Sequence, residues 1–450
     1  MHPDHTASQP APPPPARGGR SLRNIAITLA LGATMFAVGA VMLTPGGTTS
    51  SPPPAHGQPV GAPSGSIESL QARVTRLPKD AGGWAALGMA YVQQARTTAD
   101  PATYDRAEKA LRTSLSVQRE DNTDAEIAMG ALAAARHDFP TALQWARKAT
   151  ASGPYSSSAY GVLADAYTQL GRYDEADAAV QKMADLRPDA ASLARASYAF
   201  ELKGDTERAR ALMGRSLAAA ATGDERAFAH NVLATLDLQD ANPRAALTRT
   251  QTALRAAPGD SALLETRARA HLALGDTAKA LADYWAAIAI APLPHYLLGL
   301  GELEQSLGNR ARAEESYELL RAQDRIREAA GDPADTDAIL FEADHGDPNR
   351  ALTMAEQTLR TRPFVAVHDA YAWALHQAGR DTEALAQADK ALAHGTRSAL
   401  FHYHRAAIHH SLGSTEAARR DLTEALREPA FHPLHADAAR TLLQRIDTTP

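Results

Sequence analysis

Ten alanines stand in register along this chain. Ala107, Ala142, Ala176, Ala209, Ala246, Ala280, Ala313, Ala351, Ala384 and Ala418 recur at intervals of 33 to 38 residues. Seven of them have a glycine five residues earlier, at Gly171, Gly204, Gly275, Gly308, Gly346, Gly379 and Gly413. A proline stands twelve residues after five of them, at Pro154, Pro188, Pro258, Pro292 and Pro363. No other feature constrains the fold as strongly. A unit of this length is one supersecondary element that cannot bury its apolar face alone, so copies must stack into a continuous core.

Each retained residue has a mechanical reading. The glycine ends a first helix where a left-handed turn costs it little. Polar residues after it, such as Asp174 or Thr277, read as caps for a second helix. Pro140, Pro243 and Pro348 fall at the same junction, where a missing N–H is harmless. The alanine must be small because there the two helices approach most closely. Larger residues four positions on, such as Val180, Met213 and Tyr284, fill the space between units, and proline then stops the second helix. His137 and Ala241 replace the turn glycine in units two and five. Unit one carries extra residues near RTTADPAT, and unit seven has a long second helix through RAQDRIREAA. Residues 434–446 read as a capping helix.

Trp84, Leu87, Gly88 and Tyr91 add a W-x2-L-G-x2-Y match in the first unit. Together these residues resemble the tetratricopeptide repeat over residues 67–430. The resemblance implies an all-α, right-handed superhelical solenoid of about ten helix–turn–helix units, extending with its cap over 67–447. Such repeats line a concave groove with their first helices. Positions two, five, nine and twelve of each unit then imply a groove formed by Asp165, Tyr198, Asn231, Glu265, Arg269, Glu302, Asp369, Trp373, His376, Tyr403 and His410. Trp373 and Tyr403 take groove offsets nine and five in two successive units. They are expected as exposed aromatic anchors for a protein or peptide partner, rimmed by Asp369, His376 and His410. Repeats that grip a C-terminal carboxylate cluster basic and amide side chains at these positions. Arg269 is the only basic residue there, so that mode is not expected.

Composition agrees with close-packed helices. The chain of 450 residues is 44% hydrophobic but only 5% aromatic, which disfavours a sheet-rich fold. A formal net charge of −6 without a basic stripe argues against nucleic-acid binding. The absence of cysteine excludes disulfides, thiolate metal sites and cysteine nucleophiles.

The N-terminal region differs. Residues 1–24 form a Pro-rich arm, read as disordered and cytoplasmic, that ends in Arg17, Arg20 and Arg23; no charge follows from Ile25 to Leu43. Nineteen helical residues span about 28 Å, near the hydrocarbon thickness of a bilayer. Residues 25–44 therefore read as a transmembrane anchor and 45–66 as a Pro/Gly/Ser-rich linker. The positive-inside rule places the solenoid outside the cytoplasm, at the cell membrane. A signal peptide cleaved after Ala40, giving a secreted protein, is the alternative; the apolar run continuing through Val41-Met42-Leu43 favours the anchor.

Catalytic motifs are weak. The Gly259-Asp260-Ser261-Ala262-Leu263 stretch looks like an esterase nucleophile block, but in phase it is a turn with Ser261 opening a helix. The Gly299-Leu300-Gly301 pattern lacks a third glycine, and Glu314-Glu315 read as solvated charge. Nothing here points to an enzyme or a cofactor. Nine of the seventeen histidines lie between 368 and 435. His402 and His409 share a helix face, so a histidine-dependent metal-handling or metal-regulated protein is the competing reading. The favoured expectation is a non-catalytic interaction scaffold at the cell envelope, with no dedicated metal site.

Overall fold

The computed structural model describes residues 65–98 and 102–448. Among them are 22 helices and no strand. A short helix α1 (Ile67–Arg76) leads. Ten helix pairs follow: α2–α3 (Ala81–Thr98, Ala102–Val117), α4–α5 (Thr123–Ala135, Phe139–Ser152), α6–α7 (Ser157–Gln169, Tyr173–Leu186) and α8–α9 (Ala190–Leu202, Thr206–Ala219). Next come α10–α11 (Gly223–Gln239, Pro243–Ala256), α12–α13 (Ser261–Ala273, Thr277–Ile290) and α14–α15 (Pro294–Ser306, Arg310–Ala330). The last pairs are α16–α17 (Thr336–His345, Pro348–Thr361), α18–α19 (Val365–Gln377, Asp381–Leu392) and α20–α21 (Ala399–Ser411, Thr415–Ala425), before α22 (His435–Thr448). The long second helix of the seventh pair is α15. The arm, the anchor and nearly all of the linker lie outside the described residues. Among the described residues, no helix is long and apolar enough to cross a membrane.

The phased alanines do what their spacing requires. All ten are at most 5% exposed, so any larger side chain would push the two helices of its pair apart. Val180, Met213 and Tyr284 are buried beside them.

Eight turns share one construction. A left-handed residue sits at Gly171, Gly204, Gly275, Gly308, Gly379 and Gly413, and equally at His137 and Ala241. In each, the next residue returns its N–H to a carbonyl of the first helix, as Arg172 does to Tyr167 at 2.9 Å and Asp276 to His271 at 2.9 Å. That same residue is the N-cap of the second helix. One residue thus closes one helix and opens the next. This corrects the caps expected at Asp174 and Thr277: Arg172 and Asp276 hold those positions, and Asp174 and Thr277 are already helical. Gly346 departs from the set with φ −131°, and Asp347 caps α17 there. Pro140, Pro243 and Pro348 occupy the first turns of their helices, as expected.

A strictly linear array would join each pair only to its neighbours. This one also touches itself after five repeats. The turn of the third pair meets the end of the eighth: Arg362 Nε donates to Gln169 Oε1 at 2.7 Å, and the Val365 N–H donates to the Tyr173 hydroxyl at 3.1 Å. The turn of the fourth meets the end of the ninth. There the Thr396 hydroxyl donates to the Leu202 carbonyl at 2.7 Å, and Arg397 Nη1 to the Thr206 hydroxyl at 2.9 Å. Leu202, Phe364, Val365 and Phe401 form a shared apolar cluster, with Tyr173 and Tyr198 packed against it. The superhelix is therefore tight and closed along this seam.

Candidate functional site

The expected groove residues separate into two groups. Asp165 and Tyr198 belong to the seam region. The Asp165 carboxylate accepts from Arg195 Nε at 3.0 Å and Nη2 at 2.8 Å, tying α6 to α8. Tyr198 is half-buried against the seam cluster, and burial pushes its hydroxyl well above the ordinary range. Asn231 stands on α10, with its buried Oδ1 lacking a hydrogen bond. These residues do not converge with the others.

Glu265, Arg269, Glu302, Asp369, Trp373 and Tyr403 line the inner side of five consecutive first helices, α12, α14, α16, α18 and α20, with Asp344 supplying the middle one. Glu302, Asp369, Trp373 and Tyr403 are buried, and Glu265 and Arg269 are partly exposed. The segment between α21 and α22, with the first residue of α22, lies against Arg269, Glu302, Asp344, Trp373 and Tyr403. Glu428 Oε1 is 3.4 Å from Arg269 Nη2, His432 Nε2 is 3.0 Å from Glu302 Oε2, and His435 Nε2 is 3.4 Å from Asp344 Oδ2. The Phe431 ring is 5.9 Å from the Tyr403 ring, and His435 stacks on Tyr403 at 4.8 Å and 22°.

Trp373 and Tyr403 are therefore corrected from exposed anchors to core residues, at 3% and 8% exposure. Their expected proximity holds, with ring centroids 5.9 Å apart. The indole lies over His404 at 4.2 Å and 16°, and its Nε1 donates to Asp344 Oδ1 at 2.8 Å. Asp369, expected on a polar rim, is 1% exposed and holds His404 Nδ1 at 3.0 Å. His376 pairs with Asp381 beside Trp373. His410 is exposed.

Charge is arranged to hold this segment. Burial pushes the Glu302 carboxyl up, but the His432 and His345 imidazoles facing it dominate and hold it at about 2. Burial pushes His432 down, and the Glu302 carboxylate more than offsets it, so His432 is raised. Burial likewise opposes ionisation of Asp344, but its bonds from His435 and Trp373 lower it overall. Glu265 is raised by burial, with Arg269 partly offsetting this.

The histidine excess has the same explanation. His345 and His432 face Glu302, His404 faces Asp369, and His435 faces Asp344. His402 Nδ1 lies 2.8 Å from Asp421 Oδ1, and His409 Nε2 lies 3.9 Å from Oδ2. The Arg405 guanidinium already binds both oxygens of that carboxylate at 2.8 Å. A fixed cation thus stands where a metal would have to sit. Among the described residues, no group of three or more His, Asp or Glu side chains is arranged to hold a metal ion.

Ser411 and His376 both bond Asp381, so the carboxylate stands between them and no imidazole reaches the hydroxyl. In the Gly259–Leu263 stretch, Asp260 is an N-cap that accepts from the Leu263 N–H at 2.9 Å, and Ser261 is the first residue of α12.

Sequence reasoning missed Asp344, Glu428, Phe431, His432 and His435. Two prolines and two histidines in REPAFHPLH, just after the tenth pair, were the available signal.

Tetratricopeptide-repeat models match residues 157–189, which span the third helix pair, and 231–293 and 342–399, which begin inside α10 and α16. They support the tetratricopeptide assignment, whose fold is that of protein-interaction scaffolds. Among solved structures, a tetratricopeptide repeat protein from Parabacteroides merdae is 21% identical, over 58% of this chain and 99% of its own, with a TM-score of 0.33. A thermophilic repeat protein from Thermus thermophilus is 22% identical, over 43% and 98%, with a TM-score of 0.37. A human IFIT1 dimer with m7Gppp-AAAA is 13% identical, over 73% and 76%, with a TM-score of 0.47. No curated protein matches the chain.

Proposed function

We propose that this protein is a non-catalytic interaction scaffold, held at the cell envelope by residues 25–44, whose inner groove over repeats six to ten receives a peptide segment of a partner protein. The observation that carries the reading is the groove's occupant. Inner-face side chains of five consecutive first helices already hold a turn-rich stretch of chain and the first residue of α22 through ion pairs and ring stacking. A surface with that chemistry is built for peptides rather than for small substrates. Arg269, Glu265, His376 and His410 are the groove residues that keep solvent access and meet a partner first.

Envelope localisation rests on the arginines before residue 25 and the uncharged run after it. Fractionation and N-terminal sequencing test it. The expected result is an integral membrane protein that retains its N-terminal arm; a soluble mature protein beginning at Val41 overturns the anchor. Proximity labelling in the native host, with the enzyme fused after residue 450, tests the scaffold reading. A reproducible set of envelope proteins is expected, and labelling no different from a free-enzyme control contradicts it.

A further inference from the structure

We propose that residues 428–435 are an intramolecular plug, a stand-in ligand that occupies the groove in cis and must leave before a partner enters. The plug also spells out the partner's chemistry. This rests on the groove being the binding surface proposed above.

A linker from α21 to α22 has only to join two adjacent helices. This one instead crosses the interior to reach the sixth, seventh and eighth repeats, and α22 then returns to pack against α21 through Ala439 and Ile446. Along its path each polar side chain meets its complement. The Glu428 carboxylate meets the one basic groove side chain, Arg269; His432 meets Glu302; His435 meets Asp344. Phe431 packs among the groove aromatics beside Tyr403. Arg440 Nη1 donates to the Pro429 carbonyl at 2.7 Å, fixing the stretch from behind. Pro429 and Pro433 keep the stretch non-helical and lower the entropy lost on docking.

A displacing peptide therefore needs a carboxylate, then an aromatic ring three residues on, then cationic or imidazole groups at four and seven residues. A tethered occupant is present at high effective concentration, so an untethered peptide of equal chemistry competes poorly until the plug is weakened.

A fluorophore-labelled synthetic peptide of residues 427–436 tests this by anisotropy, against the full-length chain and a Glu428→Ala/Phe431→Ala/His432→Ala variant. The variant is expected to bind the peptide at least tenfold more tightly than the unaltered protein, and a peptide with Glu428 and His432 interchanged is expected to bind neither. Equal affinity for both proteins overturns the plug but leaves the groove as a binding surface. Binding to neither overturns the plug and the peptide chemistry, while the labelling experiment still decides the scaffold reading independently. Should the triple variant lose its helical circular dichroism, Glu428→Ala alone decides. It breaks only the partly exposed Arg269 pair, and about threefold tighter binding is expected, with no change overturning the proposal.

Discussion

Trp373 carries its weight in both of its chemical characters. Its ring is sandwiched among His404, His376, Tyr403 and His435, and its one polar atom is satisfied by Asp344. Truncation removes a buried aromatic together with one hydrogen bond to the Asp344 carboxylate, which keeps Gln377 and His435 as partners. Trp373→Ala is therefore expected to cost about 3–5 kcal/mol of folding stability, measured by chemical denaturation. A change below about 1 kcal/mol would return Trp373 to the surface. Glu302 makes a second prediction at this scale, with a sign that follows from its partners. Its lowered carboxyl contributes stability that is present above the ordinary glutamate range and is lost as pH falls toward about 2. The raised His432 contributes stability that is present below its ordinary value and lost as pH rises through the folded value. Both contributions are fully present between about pH 4.5 and 6.5, the ordinary values of the two groups. Glu302→Gln should therefore lower the melting temperature more at pH 5.5 than at pH 8.5. An equal loss at both values would mean that the contact is a neutral hydrogen bond.

At the scale of elements, the turns show what a repeat sequence does and does not disclose. Left-handed geometry is needed in all eight shared turns, yet Ala241 and His137 adopt it without glycine. At Gly275 a side chain would meet nothing within 4 Å, so Gly275→Ala should cost only about 1–2 kcal/mol of left-handed strain. At Gly171 and Gly204 a Cβ would fall well inside 3.0 Å of the Pro363 and Gly395 carbonyl oxygens across the seam. Gly204→Ala should cost about 1–3 kcal/mol more than Gly275→Ala, since backbone cannot yield as a side chain can. Equal melting losses for the two variants would argue that the seam is loose. The same glycine thus has two reasons, and only one is legible in sequence. The period, the buried alanines, the prolines and the long α15 could be read because each reports a contact inside one unit, repeated ten times. The seam joins residues about 190 positions apart through unrelated groups, Arg362 to Gln169 and Thr396 to Leu202, and no periodicity encodes such a pair. The groove offsets fall on first helices for the same local reason. They misjudged Trp373 and Tyr403 because exposure there depends on how tightly the superhelix closes and on what the REPAFHPLH stretch covers.

For the molecule as a whole, closure after five repeats turns an open concave face into an interior. Only in such an interior can a segment leaving the tenth repeat touch the sixth, seventh and eighth within eight residues, as Glu428, His432 and His435 do. The contacts of Glu428, His432 and His435 with the sixth, seventh and eighth repeats presuppose that closure. A double-mutant cycle between Gln169 and Arg362 tests it most directly, because the two residues are joined by one buried hydrogen bond and lie 193 positions apart. Stabilities of Gln169→Ala, Arg362→Ala and the double variant, measured by denaturant unfolding, should give a coupling energy of about 0.5–3 kcal/mol. Additivity within about 0.3–0.5 kcal/mol, the behaviour of distant and independent sites, would mean that the two turns do not meet and that the solenoid is open.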